Sequence, residues 1–130
     1  MSTITVDVPP SEWITSNDRR HWAAKAKRTA AIRRRAATLA RAQHIPYHEG
    51  RVHVTATIHG RVNNRMDPAN AYPTIKACID GCTDAGLWDD DDSTHLIGPD
   101  MRRGDPIPAL TAGWHRITIT IREEGTHEQP

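Results

Sequence analysis

The sequence predicts a small α+β domain, a mixed β-sheet carrying two main helices in the order β-α-β-α-β-β. Three stretches alternate apolar and polar residues with period two, the signature of half-buried strands, and two longer stretches repeat apolar residues every three or four positions, the signature of helices. A chain of 130 residues, 37% hydrophobic, holds one core and not two, so a single domain is expected over 1–122 with a polar tail over 123–130.

The first strand is expected over Thr3 to Val8, where Ile4, Val6 and Val8 alternate with Thr3, Thr5 and Asp7 before Pro9-Pro10 stops it. Ser16-Asn17-Asp18 offers caps for a long Ala- and Arg-rich helix that runs to about Ala42, ahead of Ile45-Pro46. Its expected apolar stripe is Trp22, Ala26, Thr29, Ile32, Ala36 and Leu39, with basic residues on the flanks and outer face. A second strand over Val52 to His59 puts Val52, Val54, Ala56 and Ile58 on one face. A loop from Gly60 to Ala71 leads to a helix opened by Pro73, carrying Ile75, Cys78, Ile79, Cys82 and Ala85 inward and ended by Gly86. His95-Leu96-Ile97 begins an edge strand interrupted at Gly98-Pro99 and continued by Met101 to Arg103. The last strand covers Trp114 to Ile121, with Ile117, Ile119 and Ile121 facing in.

Composition narrows the function classes. No stretch approaches the ~18 apolar residues of a membrane span, and the first residues lack a signal peptide's basic and apolar regions, so a cytoplasmic protein without a membrane partner is expected. Cys78 and Cys82, four apart inside a helical pattern, fit neither a zinc knuckle nor a redox pair and are expected to be buried free thiols. With Phe absent, the four tryptophans Trp13, Trp22, Trp88 and Trp114 are expected to supply much of the bulky packing, Trp88 as core.

The net charge of +1 conceals a separation along the chain. Between Arg19 and Arg41 the residues Arg19, Arg20, Lys25, Lys27, Arg28, Arg33, Arg34, Arg35 and Arg41 meet no acid, whereas Asp80 to Asp92 holds six aspartates and no Lys or Arg. Such a helix repels itself unless an anion lies near, which favours phosphate contacts by Arg19, Arg20, Lys25, Lys27, Arg28, Arg33, Arg34 and Arg35, joined by Arg65. The bland alternative is a solvated bipolar surface.

Three features carry the chemistry: Arg65-Met66-Asp67-Pro68-Ala69-Asn70 before the second helix, Lys76 and Asp80 on it, and Asp89-Asp90-Asp91-Asp92 after it. The helix is about 20 Å long at ~1.5 Å per residue, so its flanking loops meet only if one folds back along it or the strands bring them together. Each feature has an ordinary reading too: Asp67 as a turn initiator, Lys76 and Asp80 as a surface i,i+4 pair, the acidic run as a wet loop, and His95 as a strand-edge side chain. The acidic run lacks the glycine and closing glutamate of an EF-hand, and no HxxxH pair points to zinc.

Taken together, Arg65, Asp67 and Asn70, then Lys76-Ala77-Cys78-Ile79-Asp80-Gly81-Cys82-Thr83-Asp84-Ala85-Gly86, then Asp90-Asp91 resemble the RusA-like Holliday junction resolvases and their K-A-x-x-D-x-L-x-x-A-G pattern over about 30 residues. The resemblance implies a RusA-like fold and a homodimeric endonuclease that uses Mg2+, with Mn2+ as a substitute, to nick four-way DNA junctions in pairs during recombination and repair. A bacterial or phage-infected cell is the implied setting. It assigns catalytic roles to Asp67, Lys76 and Asp91 and metal binding to Asp67, Asp80, Asp90 and Asp91. Hard Mg2+ takes oxygen ligands, and a lysine beside it can clamp charge developing on the phosphorane. The chain departs from the family in two ways: Ala69 stands where a second loop aspartate is expected, and the run from Asn70 to Lys76 is three residues longer. Asp80, Asp90 or the Asn70 carboxamide is left to compensate, or activity is weakened or lost. The alternatives are a non-catalytic protein that binds branched DNA on the same fold, and a nuclease for flaps, forks or nicked duplex.

Overall fold

The computed structural model describes residues 1–63 and 66–124 and contains β1 (Ser2–Val8), α1 (Trp22–Ala42), β2 (Val52–His59), a 3-10 turn (Pro68–Ala71), α2 (Tyr72–Asp84), β3 (Leu96–Arg103) and β4 (His115–Glu123). The α+β class and the element order match the reading from sequence. Arg65 and residues 125–130 lie outside the described residues. Among those described, no helix is long and apolar enough to cross a membrane.

The sheet order is β1-β4-β2-β3: β4 runs antiparallel to β1 and β2, while β2 and β3 run parallel, with α2 as their crossover. Alternation sorts the two faces. Ile4, Val6, Val8, Val52, Val54, Ala56, Ile58, Ile117, Ile119 and Ile121 are fully buried and share one core with Ile32, Ala36 and Ala40 of α1 and Ile75, Cys78, Ile79 and Cys82 of α2. The opposite face is a threonine lattice in which Thr5, Thr118 and Thr57 stand abreast, as do Thr3, Thr120 and Thr55. The edge strand β3 passes unbroken through Gly98-Pro99, and its pairing with β2 shifts register between His53 and Thr55. Past Ala42, the Gln43 carboxamide accepts the Thr5 N–H at 3.0 Å and donates to the Thr5 carbonyl at 2.9 Å, covering part of the free edge of β1. At the far end β4 extends through Glu123, and Glu124 pairs with Arg51 at 2.7 Å.

Helix α1 departs most from expectation. Its cap is His21, whose Nδ1 accepts the Ala23 N–H at 3.2 Å, and not one of Ser16, Asn17 or Asp18. The buried set begins only at Ile32; Trp22 is 72% exposed, and Ala26 and Thr29 are exposed as well. Length explains the correction: 21 residues span about 31 Å at ~1.5 Å per residue, against about 20 Å for the 13-residue α2, so the N-terminal half of α1 outruns what it could pack against. Isoleucine and valine therefore build most of the core. Of the tryptophans, only Trp88 is fully buried, its Nε1 donating to Thr83 Oγ1 at 2.7 Å, while Trp13 stacks on His115 with ring centroids 3.8 Å apart.

Two contacts fix α2. At Gly81 a Cβ would collide with the Arg33 carbonyl oxygen and come within 2.8 Å of Ala36 Cβ, so the helices cross backbone to backbone there. At the other end the buried Thr74 hydroxyl accepts the Ile14 N–H at 3.0 Å and donates to the Ile14 carbonyl at 2.7 Å, while Ser16 N–H donates to the Asn70 carbonyl at 2.8 Å. Cys78 and Cys82 are buried free thiols, and burial pushes the Cys82 pKa up to about 12.

Replacing glycine by alanine inside a helix ordinarily stabilises by about 1 kcal/mol. Gly81→Ala should do the reverse, because overpacking against backbone costs about 1–3 kcal/mol. A lower urea midpoint than wild type is expected; a raised one would rule out the close crossing.

Candidate functional site

The site is built on the solvent side of α2, whose apolar stripe faces the sheet and leaves Lys76 and Asp80 half-buried one turn apart. Lys76 Nζ donates to Asp80 Oδ1 at 2.8 Å and also forms an ion pair with Asp91. The segment after Gly86 therefore folds back along α2, which is one of the two arrangements that could unite the features flanking the helix. Leu87 and Trp88, both buried, anchor the return, and Asp90 Oδ1 accepts the Asp91 N–H at 2.7 Å.

The four aspartates of the loop divide their work. Asp91 reaches Lys76; Asp90 accepts the Asp91 N–H; Asp89 accepts the Tyr47 hydroxyl at 3.0 Å; Asp92 accepts the Thr94 hydroxyl at 2.6 Å and meets His95 Nδ1 at 2.7 Å. The hydrogen bond with Asp92 raises the pKa of His95. Tyr47 and the Asp92–His95 pair have no signal in sequence spacing, because their partners come from separate elements or depend on how the loop turns. Asp67 is the cap of the 3-10 turn, its carboxylate accepting the Ala69 N–H at 3.0 Å. Among the described residues no hydrogen bond or ion pair links it to Lys76, Asp80 or Asp91.

The ammonium between two carboxylates governs the electrostatics. Hydrogen bonds donated to Asp80 and Asp91 raise the pKa of Lys76, and the Lys76 ammonium holds the Asp91 carboxyl below the usual carboxylate range. One ammonium thus stands between two carboxylates drawn from the helix and from the loop after it.

Mg2+ is commonly held by one or two carboxylates, with water and substrate phosphate completing six oxygens. Asp80 and Asp91 converge on the single point now taken by Lys76 Nζ, so the donor set fits that mode. It is not a protein cage: among the described residues no group of three or more His, Cys, Asp or Glu could hold a metal ion.

The basic helix is less free than its sequence implies. Arg33 forms a double hydrogen bond to Asp84 at 2.5 and 2.8 Å, and Arg35 another to Glu12 at 2.8 and 2.7 Å. Arg20 pairs with Asp18, and Arg28 donates to the carbonyls of Pro10 and Trp13 at 3.0 and 3.1 Å. Carboxylates from other segments thus relieve the repulsion from within the molecule. Arg19, Lys25, Lys27 and Arg34 have no carboxylate partner among the described residues. No protein-family model matches the chain, and the search of curated proteins found no match.

The signs of the two shifts define a pH window. A depressed Asp91 pKa gives stability that is present above the ordinary value of 3.8 and lost as pH falls through the folded value. A raised Lys76 pKa gives stability that is present below the ordinary 10.5 and lost as pH rises through the folded value. The tie should hold across the neutral range. In Lys76→Met the Asp91 carboxyl should titrate at higher pH than in wild type, as followed by carbon-13 carboxyl shifts; an unmoved titration would show that Lys76 does not hold Asp91.

Proposed function

We propose that the chain is a metal-dependent endonuclease that acts on branched DNA, with the four-way junction as the substrate implied by its likeness to RusA-like resolvases. The observation that carries the reading is the folded-back loop: Asp91, fifteen residues along the chain from Lys76, shares that lysine's ammonium with Asp80. A solvated acidic loop has no need of that return. A homodimer belongs to the same proposal, since a two-fold enzyme presents two such sites to a two-fold junction, and the cytoplasm of a bacterial or phage-infected cell is its setting.

In this reading Asp80 and Asp91 hold Mg2+ with Asp90 beside them, and Asp67 takes the family's loop-aspartate role from the turn it caps. Bound Mg2+ supplies Lewis acidity toward a phosphate oxygen and lowers the pKa of a coordinated water. Lys76 would supply an ammonium to a phosphate oxygen that gains charge. Asp90 keeps the Asp91 backbone in its turn through the 2.7 Å hydrogen bond. Arg19, Lys25, Lys27 and Arg34 remain to contact backbone phosphates, while Arg33 and Arg35 brace α1 and contact DNA only by giving up Asp84 and Glu12.

A second reading, a branched-DNA-binding protein without cleavage, draws on Ala69, whose methyl group stands at the expected second aspartate, and on the absence of a three-carboxylate group among the described residues. A labelled four-way junction incubated with Mg2+ or with chelator separates the two. Paired nicks only with Mg2+ are expected, whereas tight binding without nicking in Mg2+ or Mn2+ favours the second reading; a panel of flaps and forks tests substrate choice.

Asp91→Asn should abolish nicking while junction binding persists, and wild-type cleavage by this variant would reject the site. Arg34→Ala should lower the slope of log affinity against log salt by about 0.9 for one lost phosphate contact. An unchanged slope would take Arg34 off the DNA surface.

A further inference from the structure

The N-terminal half of α1 presents an anomaly that the site does not absorb. Trp22 is the largest aromatic of the chain left in solvent, 72% exposed at the first turn of the helix. Lys25 and Ala26 share its face one turn on, Arg19 precedes it, and the His21 ring lies beside it with centroids 5.4 Å apart. The approach to this turn is fastened to the start of α2: Thr74 holds Ile14, and Asn70 holds Ser16. Trp22 is thus mounted on the segment that meets the Asp67 turn, ahead of the helix that carries Lys76 and Asp80.

We propose that Trp22, with Arg19 and Lys25, is a stacking platform for an unpaired nucleobase of the DNA strand whose phosphates those cations hold. The inference rests on the nucleic-acid reading above and deepens it. An exposed indole offers a π-face to any base, and flanking cations without carboxylate partners complement the adjoining phosphates. Other occupants fit less well. A membrane-seated helix needs several large apolar residues, whereas the exposed apolar neighbours here, Ala23, Ala24, Ala26 and Ala30, are all small. A second copy docked across a two-fold axis would bring Arg19, Arg20, Lys25 and Lys27 close to their own like charges.

The test uses the full chain with an unstructured twelve-residue thymidine oligonucleotide and with a four-way junction, in chelator so that cleavage plays no part. Tryptophan emission should be quenched as oligonucleotide binds wild type. Trp22→Phe should bind within about threefold of wild type but lose most of that quenching, because phenylalanine still stacks; Trp22→Ala should bind roughly tenfold or more weakly, in the range of lost base–aromatic stacking. Both variants should keep the wild-type circular dichroism spectrum, since the side chain lies outside the core.

Unchanged affinity of Trp22→Ala for both ligands would overturn the platform while leaving the nuclease reading intact. Unchanged affinity together with a shift in sedimentation would overturn it in favour of self-association. Weakened binding by Trp22→Ala in a protein that never nicks in Mg2+ would support the platform and reject the nuclease. A wild type that binds neither ligand would end both.

Discussion

At Gly81 the backbones of α1 and α2 approach so closely that a single carbon would strike the Arg33 carbonyl, and the layout of the rest of the molecule follows from that contact. Two helices can share one face of a four-stranded sheet only if they lie close, and hydrogen in place of a side chain permits it. The crossing also brings Arg33 to Asp84 and Arg41 to the Asp84 carbonyl, tying the C-terminal end of α2 to its neighbour. Thr74 does the corresponding work at the other end, where its buried hydroxyl satisfies both backbone groups of Ile14. Held at two points, α2 becomes a rigid rail for the side chains on its outer face, as a polar constellation requires.

Along that rail, charge is distributed by pairing more than by exposure. The acidic segment would repel itself as an extended loop, yet Tyr47, Lys76, Thr94 and His95 each take one aspartate or two and set the turn. Because Lys76 is close to half exposed, its bonds to Asp80 and Asp91 are worth little as stability in water. Their consequence is geometric: two carboxylates from separate segments are aimed at one point. The basic helix follows the same rule, spending Arg33 and Arg35 on internal partners and leaving Arg19, Lys25, Lys27 and Arg34 for the surface.

The strands were legible residue by residue, because period-two alternation depends only on which face meets the core, and β1, β2 and β4 each kept that alternation. Helix α2 was legible for a similar reason: its inward stripe of Ile75, Cys78, Ile79 and Cys82 is continuous from end to end. Helix α1 was legible as a helix but not in its packing. Trp22, Ala26 and Thr29 satisfy the helical period as well as Ile32 and Ala36 do, and periodicity carries no information about where the neighbouring layer ends. The cap at His21 was missed because three better cappers stand just upstream. Of the candidate site, the residue types and the Lys76–Asp80 spacing could be read along the chain, while the return of Asp91 could not.

Sequence alone therefore determined the α+β class, the element order, the inward faces of β1, β2 and β4 and the two buried thiols, all of which follow from local period and from the rarity of apolar residues outside those stripes. Tertiary structure alone decided the sheet order β1-β4-β2-β3, the crossing at Gly81, the intramolecular partners of the arginines, the exposure of Trp22 and the meeting of Asp91 with Lys76. Those are contacts between residues far apart along the chain. They depend on the lengths and angles of packed elements, which no local pattern of side chains encodes.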